Sequence, residues 1–171
     1  PSTEFCSWLE NHILLFNSHI THVSGELHDR VWARYKNGDE EISSALDMIR
    51  QAGLDMASAI SKESKAAVIS SINQVMIAVD MLGEELHQPF RQVLAEFTKQ
   101  NLVATWKAMG AGGGGVVGIV INNLSENEFN NSFQNYTNDI VNHIIKNLND
   151  NNKNKLILIN IADDFAIGND C

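Results

Sequence analysis

GAGGGGVVGIVI, residues 110–121, is a glycine tract that runs straight into an apolar segment. Val116, Val117, Ile119, Val120 and Ile121 suit either a buried strand or a short buried helix, and periodicity alone does not arbitrate between the two. The surroundings supply the argument. Everything upstream reads as helix, so the expectation is a loop that enters an apolar helical turn. Leu156 to Ile161, a second short apolar run, is read as a terminal helix on the same ground.

Upstream, the apolar positions Leu9, Ile13, Phe16, Ile20, Val23, Leu27, Val31 and Tyr35 follow a helical repeat, which predicts one long amphipathic helix from Thr3 to Lys36. Asn37-Gly38 then stops it, and Asp39-Glu40-Glu41 puts acidic residues where the next helix dipole favours them. Ile42, Leu46, Ile49, Gly53, Met56 and Ile60 carry that next helix. The pattern lapses over residues 61–65, where a bend or break is expected, and resumes as Ile69, Ile72, Met76, Val79, Leu82 and Leu86. Pro89 stands where a first-turn proline belongs. Phe90, Leu94, Phe97, Asn101, Ala104 and Ala108 continue as a further helix that ends before Gly110.

Downstream, Ser125 with Glu128 reads as a capping box ahead of Phe129, Phe133, Tyr136, Ile140, Ile144 and Leu148 on one helical face. Asn149 to Lys155 reads as a loop inside the same domain. The expected fold is therefore all-α, an elongated bundle of about four to six amphipathic helices, forming one helical domain over residues 1–171.

The 171 residues suffice for a real core, and the formal net charge of −9 opposes attraction to phosphate backbones and anionic membrane surfaces. A nucleic-acid partner is excluded on that ground. The two cysteines, Cys6 and Cys171, stand near the two ends of the sequence. They either form a disulfide joining the termini of an exported domain, which would contribute about 4 to 5 kcal/mol on the chain-entropy account, or are independent thiols. Opening on Pro1 fits a mature chain after signal removal or a trimmed one. Sequons starting at Asn123, Asn130 and Asn135 cluster in one short stretch, and in so Asn-rich a chain it is the clustering that points to glycosylation.

Few residues suggest chemistry. His12, His19, His22 and His28, with Glu26, would share one flank of the long first helix at spacings compatible with a divalent metal. A solvated flank is the plainer reading, and no HExxH arrangement exists, so no metal is expected. The glycines of 110–118 invite a phosphate-loop reading, which fails for want of a following Gly-Lys-Ser/Thr and because a preceding helix would offer its negative end. Gly110, Gly114 and Gly118 also resemble a small-residue helix-packing face, but the apolar stretch from Ala108 to Ile121 falls short of the roughly 20 residues that span a bilayer. Asp163-Asp164 reads as solvent-facing. Trp8, Trp32, Phe90, Phe97 and Trp106 read as core rather than a ligand cage. No catalytic residue, no cofactor and no enzymatic activity are expected.

In style, the amphipathic helices from Leu9 onward, the terminal Cys6 and Cys171, and the Asn-rich final third around Asn-Asn-Ser and Asn-Tyr-Thr resemble the small all-helical secreted proteins in the saliva of blood-feeding insects such as mosquitoes. The resemblance implies a secreted, extracellular, non-enzymatic protein that acts on host haemostatic or immune components, with a host protein or receptor as partner. It carries over no functional residue.

The leading expectation is thus an effector that works through its helical surface. The first alternative is a carrier of a small apolar ligand, since Met48, Met56, Met76 and Met81 with the aromatics could line an adaptable interior. The second is a membrane-active helical toxin. The long first stripe would bury itself within the monomer or at a homodimer seam.

Overall fold

The computed structural model describes residues 1–17, 24–110 and 112–122. The chain divides into two units, Pro1–Leu124 and Ser125–Cys171, and every described residue belongs to the first. The sequons at Asn123, Asn130 and Asn135, together with Cys171, Asp163-Asp164, the capping-box helix and the 156–161 run, lie outside the described residues.

The described chain is mixed rather than all-α, which corrects the expected fold class. Its order is α1 (Thr3–His12), β1 (Ile13–Asn17), α2 (Ser24–Lys36), α3 (Glu40–Ser61), α4 (Lys65–Leu82), a short 3₁₀ turn (Glu84–Leu86), α5 (Gln88–Lys99), β2 (Val103–Ala108) and β3 (Val116–Ile121). The strands form an antiparallel sheet in the order β1-β3-β2. The deciding stretch is therefore its central strand, where β-branched residues pair on both sides and the ladder satisfies their backbone groups.

Two expected helices give way to this sheet. The predicted Thr3–Lys36 helix is interrupted by β1, in which Ile13, Leu14 and Leu15 pair with Val120, Ile119 and Gly118. The predicted continuation of α5 through Ala104 and Ala108 is β2, which pairs with β3 after a register shift between Val103 and Thr105. In both places a short run of apolar residues satisfies a helical repeat by coincidence, and long-range pairing overrides local pattern.

The helical hairpin follows the expected stop at Asn37-Gly38 and the expected break within residues 61–65. Asp39 caps α3, its side chain accepting from the Glu41 and Ile42 amides, and Ser64 caps α4 by accepting from Ala67. The break lies between Ser61 and Lys65, with Glu63 at φ 53°. Ser2 caps α1 and binds the Glu63 carboxylate through both its hydroxyl, at 2.6 Å, and its amide, so α1 is anchored to the α3–α4 turn.

The seam between α3 and α4 is built from small residues. Ile42, Ala45, Ala52 and Ala59 of α3 are buried, as are Val68, Ser71 and Ala78 of α4. The alanines and Ser71 let two helix backbones approach closely and leave the larger side chains standing on either side of the seam. On one side Met56, Ile60, Ile69 and Ile72 pack on a core of Phe5, Trp8, Ala59, Val68 and Val120. The sheet lies between this layer and α5: its register sets Thr105 with Val120 on one face, and Trp106 with Ile119 and Ala108 with Val117 on the other. Phe90, Leu94 and Phe97 of α5 are buried, and Phe90 meets Trp106 at 6.5 Å.

Candidate functional site

On the other side of the seam the large side chains are left partly uncovered. Leu46 and Ile49 of α3 and Val75, Val79 and Leu82 of α4 form the floor of a half-open groove, and α2 supplies its far wall through His28, Val31 and Trp32. The groove encloses about 300 Å³, the lower end of the range typical of small-molecule sites. Trp32 is 53% exposed and stands edge-on to Tyr35 at 5.8 Å, so the indole forms the rim.

Polar contacts hold α2 in place as that wall. Arg34 donates from Nε to Asp39 and from Nη2 to Glu41, both at 2.7 Å, and from Nη1 to the Leu82 carbonyl at 3.4 Å. Arg30 pairs with Glu85 at 3.1 Å. The guanidinium of Arg34 holds the Asp39 carboxyl below its ordinary range, with the Ile42 and Glu41 amides adding to the effect. α2 is therefore braced at its C-terminal half without filling the space beneath it.

Among the described residues one lysine reaches the groove. Lys107 lies on β2 opposite Gly118 of β3 and is half-buried. Its ammonium donates to the Ala108 carbonyl at 2.8 Å, and among the described residues no carboxylate pairs with it. Burial pushes its pKa down from the ordinary lysine value. Apart from Lys107 the described lining holds one further ionisable group, His28, and no acid.

Beside the groove lies a buried imidazole. His87, fully buried after the 3₁₀ turn, places Nδ1 2.8 Å from Oδ1 of Asp80, and Arg91 reaches the same oxygen at 2.5 Å. Its ring meets Trp106 edge-on at 4.8 Å. Desolvation pushes the His87 pKa down, outweighing the upward pull of Asp80, so the ring is neutral at pH 7. In that state Nδ1–H donates to Asp80 and Nε2 is a buried atom without a partner among the described residues.

The remaining sequence candidates scatter. His12 ends α1, its Nδ1 3.0 Å from the Trp8 carbonyl, whereas His28 sits on α2 beyond β1, so the continuous histidine flank does not exist. His19 and His22 lie outside the described residues. Among the described residues no group of three or more His, Cys, Asp or Glu could hold a metal. Cys6 is half-buried on α1. The glycine tract is the loop of the β2–β3 hairpin, with a strand on each side and no helix N-terminus to present amides to a phosphate. Trp8, Phe90, Phe97 and Trp106 are core residues, and Trp32 is the exception.

Sequence reasoning missed Lys107 and His87. Lys107 fell in a segment read as helix, off its apolar stripe. The alternation Val103, Thr105, Lys107 was the available signal, and it emerges only once the segment is read as a strand. The methionines named as a lining are not among the described lining residues, and Met56 packs on the core instead.

α4 is long and apolar enough to cross a membrane by length and composition. In this fold it has work for apolar residues on two sides, since Val68 and Ile72 face the core and Val75, Val79 and Leu82 face the groove.

No family model matches the sequence, and no curated protein is significantly similar to it.

Proposed function

We propose that this protein binds a small apolar molecule in the groove between α2 and the α3–α4 hairpin. The observation that carries this is the groove itself: Val31, Leu46, Ile49, Val75, Val79 and Leu82 border about 300 Å³ that no side chain among the described residues fills. Protein interiors are close-packed, and an apolar void forfeits contacts that a guest restores. A carrier or sequestering role follows directly from reversible occupancy of such a site.

Uptake of an uncharged solvatochromic dye tests this. A blue-shifted, one-to-one signal with Kd on the micromolar scale, about −8 kcal/mol, supports the reading, and Leu46→Trp should abolish it by filling the groove. Dye emission that stays at its aqueous value with the folded protein would overturn it.

Secretion, a Cys6–Cys171 disulfide and glycosylation at Asn123, Asn130 and Asn135 are proposals that accompany this reading. An effector acting on a host protein through a helical face is the companion proposal, but among the described residues no surface patch is as well defined as the groove.

A further inference from the structure

We infer that the ligand is an amphiphile with one anionic head, a medium-chain carboxylate, and that Lys107 is the counter-ion seating that head at the end of the groove. This rests on the apolar-groove reading above and names its ligand class.

The argument begins with an unbalanced charge. An ammonium taken partly out of water loses hydration, and a buried or half-buried charge is ordinarily paired. Among the described residues Lys107 has only the carbonyl of its own neighbour, Ala108, at 2.8 Å. That contact offers a dipole and leaves the other ammonium protons without a partner among the described residues. The downward push on its pKa reports the same deficit. A carboxylate at this position replaces lost hydration with a charge-assisted hydrogen bond.

Placement makes the lysine a terminus for a chain-like guest. Opposite it, Gly118 contributes no side chain next to the lysine stem. The walls leading to it are Val31, Leu46, Ile49 and Val79, which offer no hydrogen bonds and suit an alkyl tail. At roughly 30 Å³ per methylene- or water-sized group, the cavity holds about ten such groups. The described lining has no acid to repel the head, in a chain whose net charge is −9. A cationic amphiphile would meet Lys107 as a like charge, and a neutral one would leave it unpaired.

The test compares decanoate, decanol and decyltrimethylammonium on the full chain, by native mass spectrometry and the emission of Trp32. Decanoate should bind at least about tenfold more tightly than decanol, and the cation should not compete. Lys107→Met should reduce decanoate to the decanol level while decanol binding persists, which also shows that the variant is folded. Lys107→Arg should keep most of the preference. Equal binding of decanoate and decanol by the native protein would overturn the anionic-head assignment and leave the apolar groove standing. Binding of none of the three would overturn both, as would a groove closed by a second copy of the chain, seen as a stable dimer that excludes all three.

Discussion

The amide of Gly113 donates to the carbonyl of Leu86 at 2.7 Å, tying the loop of the β2–β3 hairpin to the turn between α4 and α5. This one bond brings the glycine tract against the 3₁₀ turn that precedes His87. It also explains which glycine is irreplaceable.

Gly112 has φ +77°, and a Cβ there would stand 2.7 Å from the Leu86 carbonyl oxygen. Gly112→Ala should therefore destabilise the fold by about 1 to 3 kcal/mol in urea unfolding. At Gly118 a Cβ would first meet the Met109 sulfur at 3.4 Å, a flexible neighbour, so Gly118→Ala should stay within about 1 kcal/mol of the native protein. Equal losses at both sites would contradict the loop contact.

Ser64 separates α3 from α4, and its hydroxyl accepts from the Ala67 amide at 3.3 Å. Ser64→Ala should cost about 1 kcal/mol, and Ser64→Gly only a few tenths. Chemical denaturation distinguishes the two, and no loss in either variant would mean the cap is not used.

His87 makes stability depend on pH. Its folded-state pKa is depressed below the ordinary 6.5, so the unfolded chain binds the proton more readily. The stability it contributes is full above about pH 6.5 and is lost as pH falls through the lowered folded value. Asp39 and Glu63 are also depressed, but their contributions are lost only below their ordinary 3.8 and 4.5, a separate window. Unfolding curves for His87→Phe should lack the upper loss and keep the lower one. Identical pH profiles for the two proteins would contradict the buried neutral imidazole.

Lys107 has the opposite consequence for stability from the one expected of a functional lysine in a salt bridge. Its folded pKa is below the ordinary 10.5, so its charge opposes folding at pH 7, and the stability it contributes as a neutral amine returns only as pH rises toward 10.5. Lys107→Met should leave Tm unchanged or raise it in the absence of ligand. A clear fall in Tm would show that the ammonium stabilises the fold and has a partner.

The helical hairpin was legible because its signals are local: Asn37-Gly38 and Asp39-Glu40-Glu41 act on their own neighbours and the lapse over residues 61–65 marks the break, although the cap at Ser64 was not read. The strands were not, because Ile13 to Asn17, Val103 to Ala108 and Val116 to Ile121 are each too short for periodicity to separate strand from buried helix. What decides them is pairing with residues distant in sequence, which a window of neighbours does not contain. The groove was hidden for a related reason. Leu46, Ile49 and Val79 were visible as apolar stripe residues, but the alanines at heptad spacing, Ala45, Ala52 and Ala59, are what bring α3 and α4 together and leave those larger side chains uncovered.

The most direct measurement is a crystal structure of the protein with a decanoate brominated at its terminal carbon, the bromine located by its anomalous signal. The account predicts a bromine peak among Val31, Leu46 and Val79 with the carboxylate within hydrogen-bond reach of Lys107 Nζ. A peak elsewhere on the protein, or an empty groove in crystals grown at saturating decanoate, would contradict it.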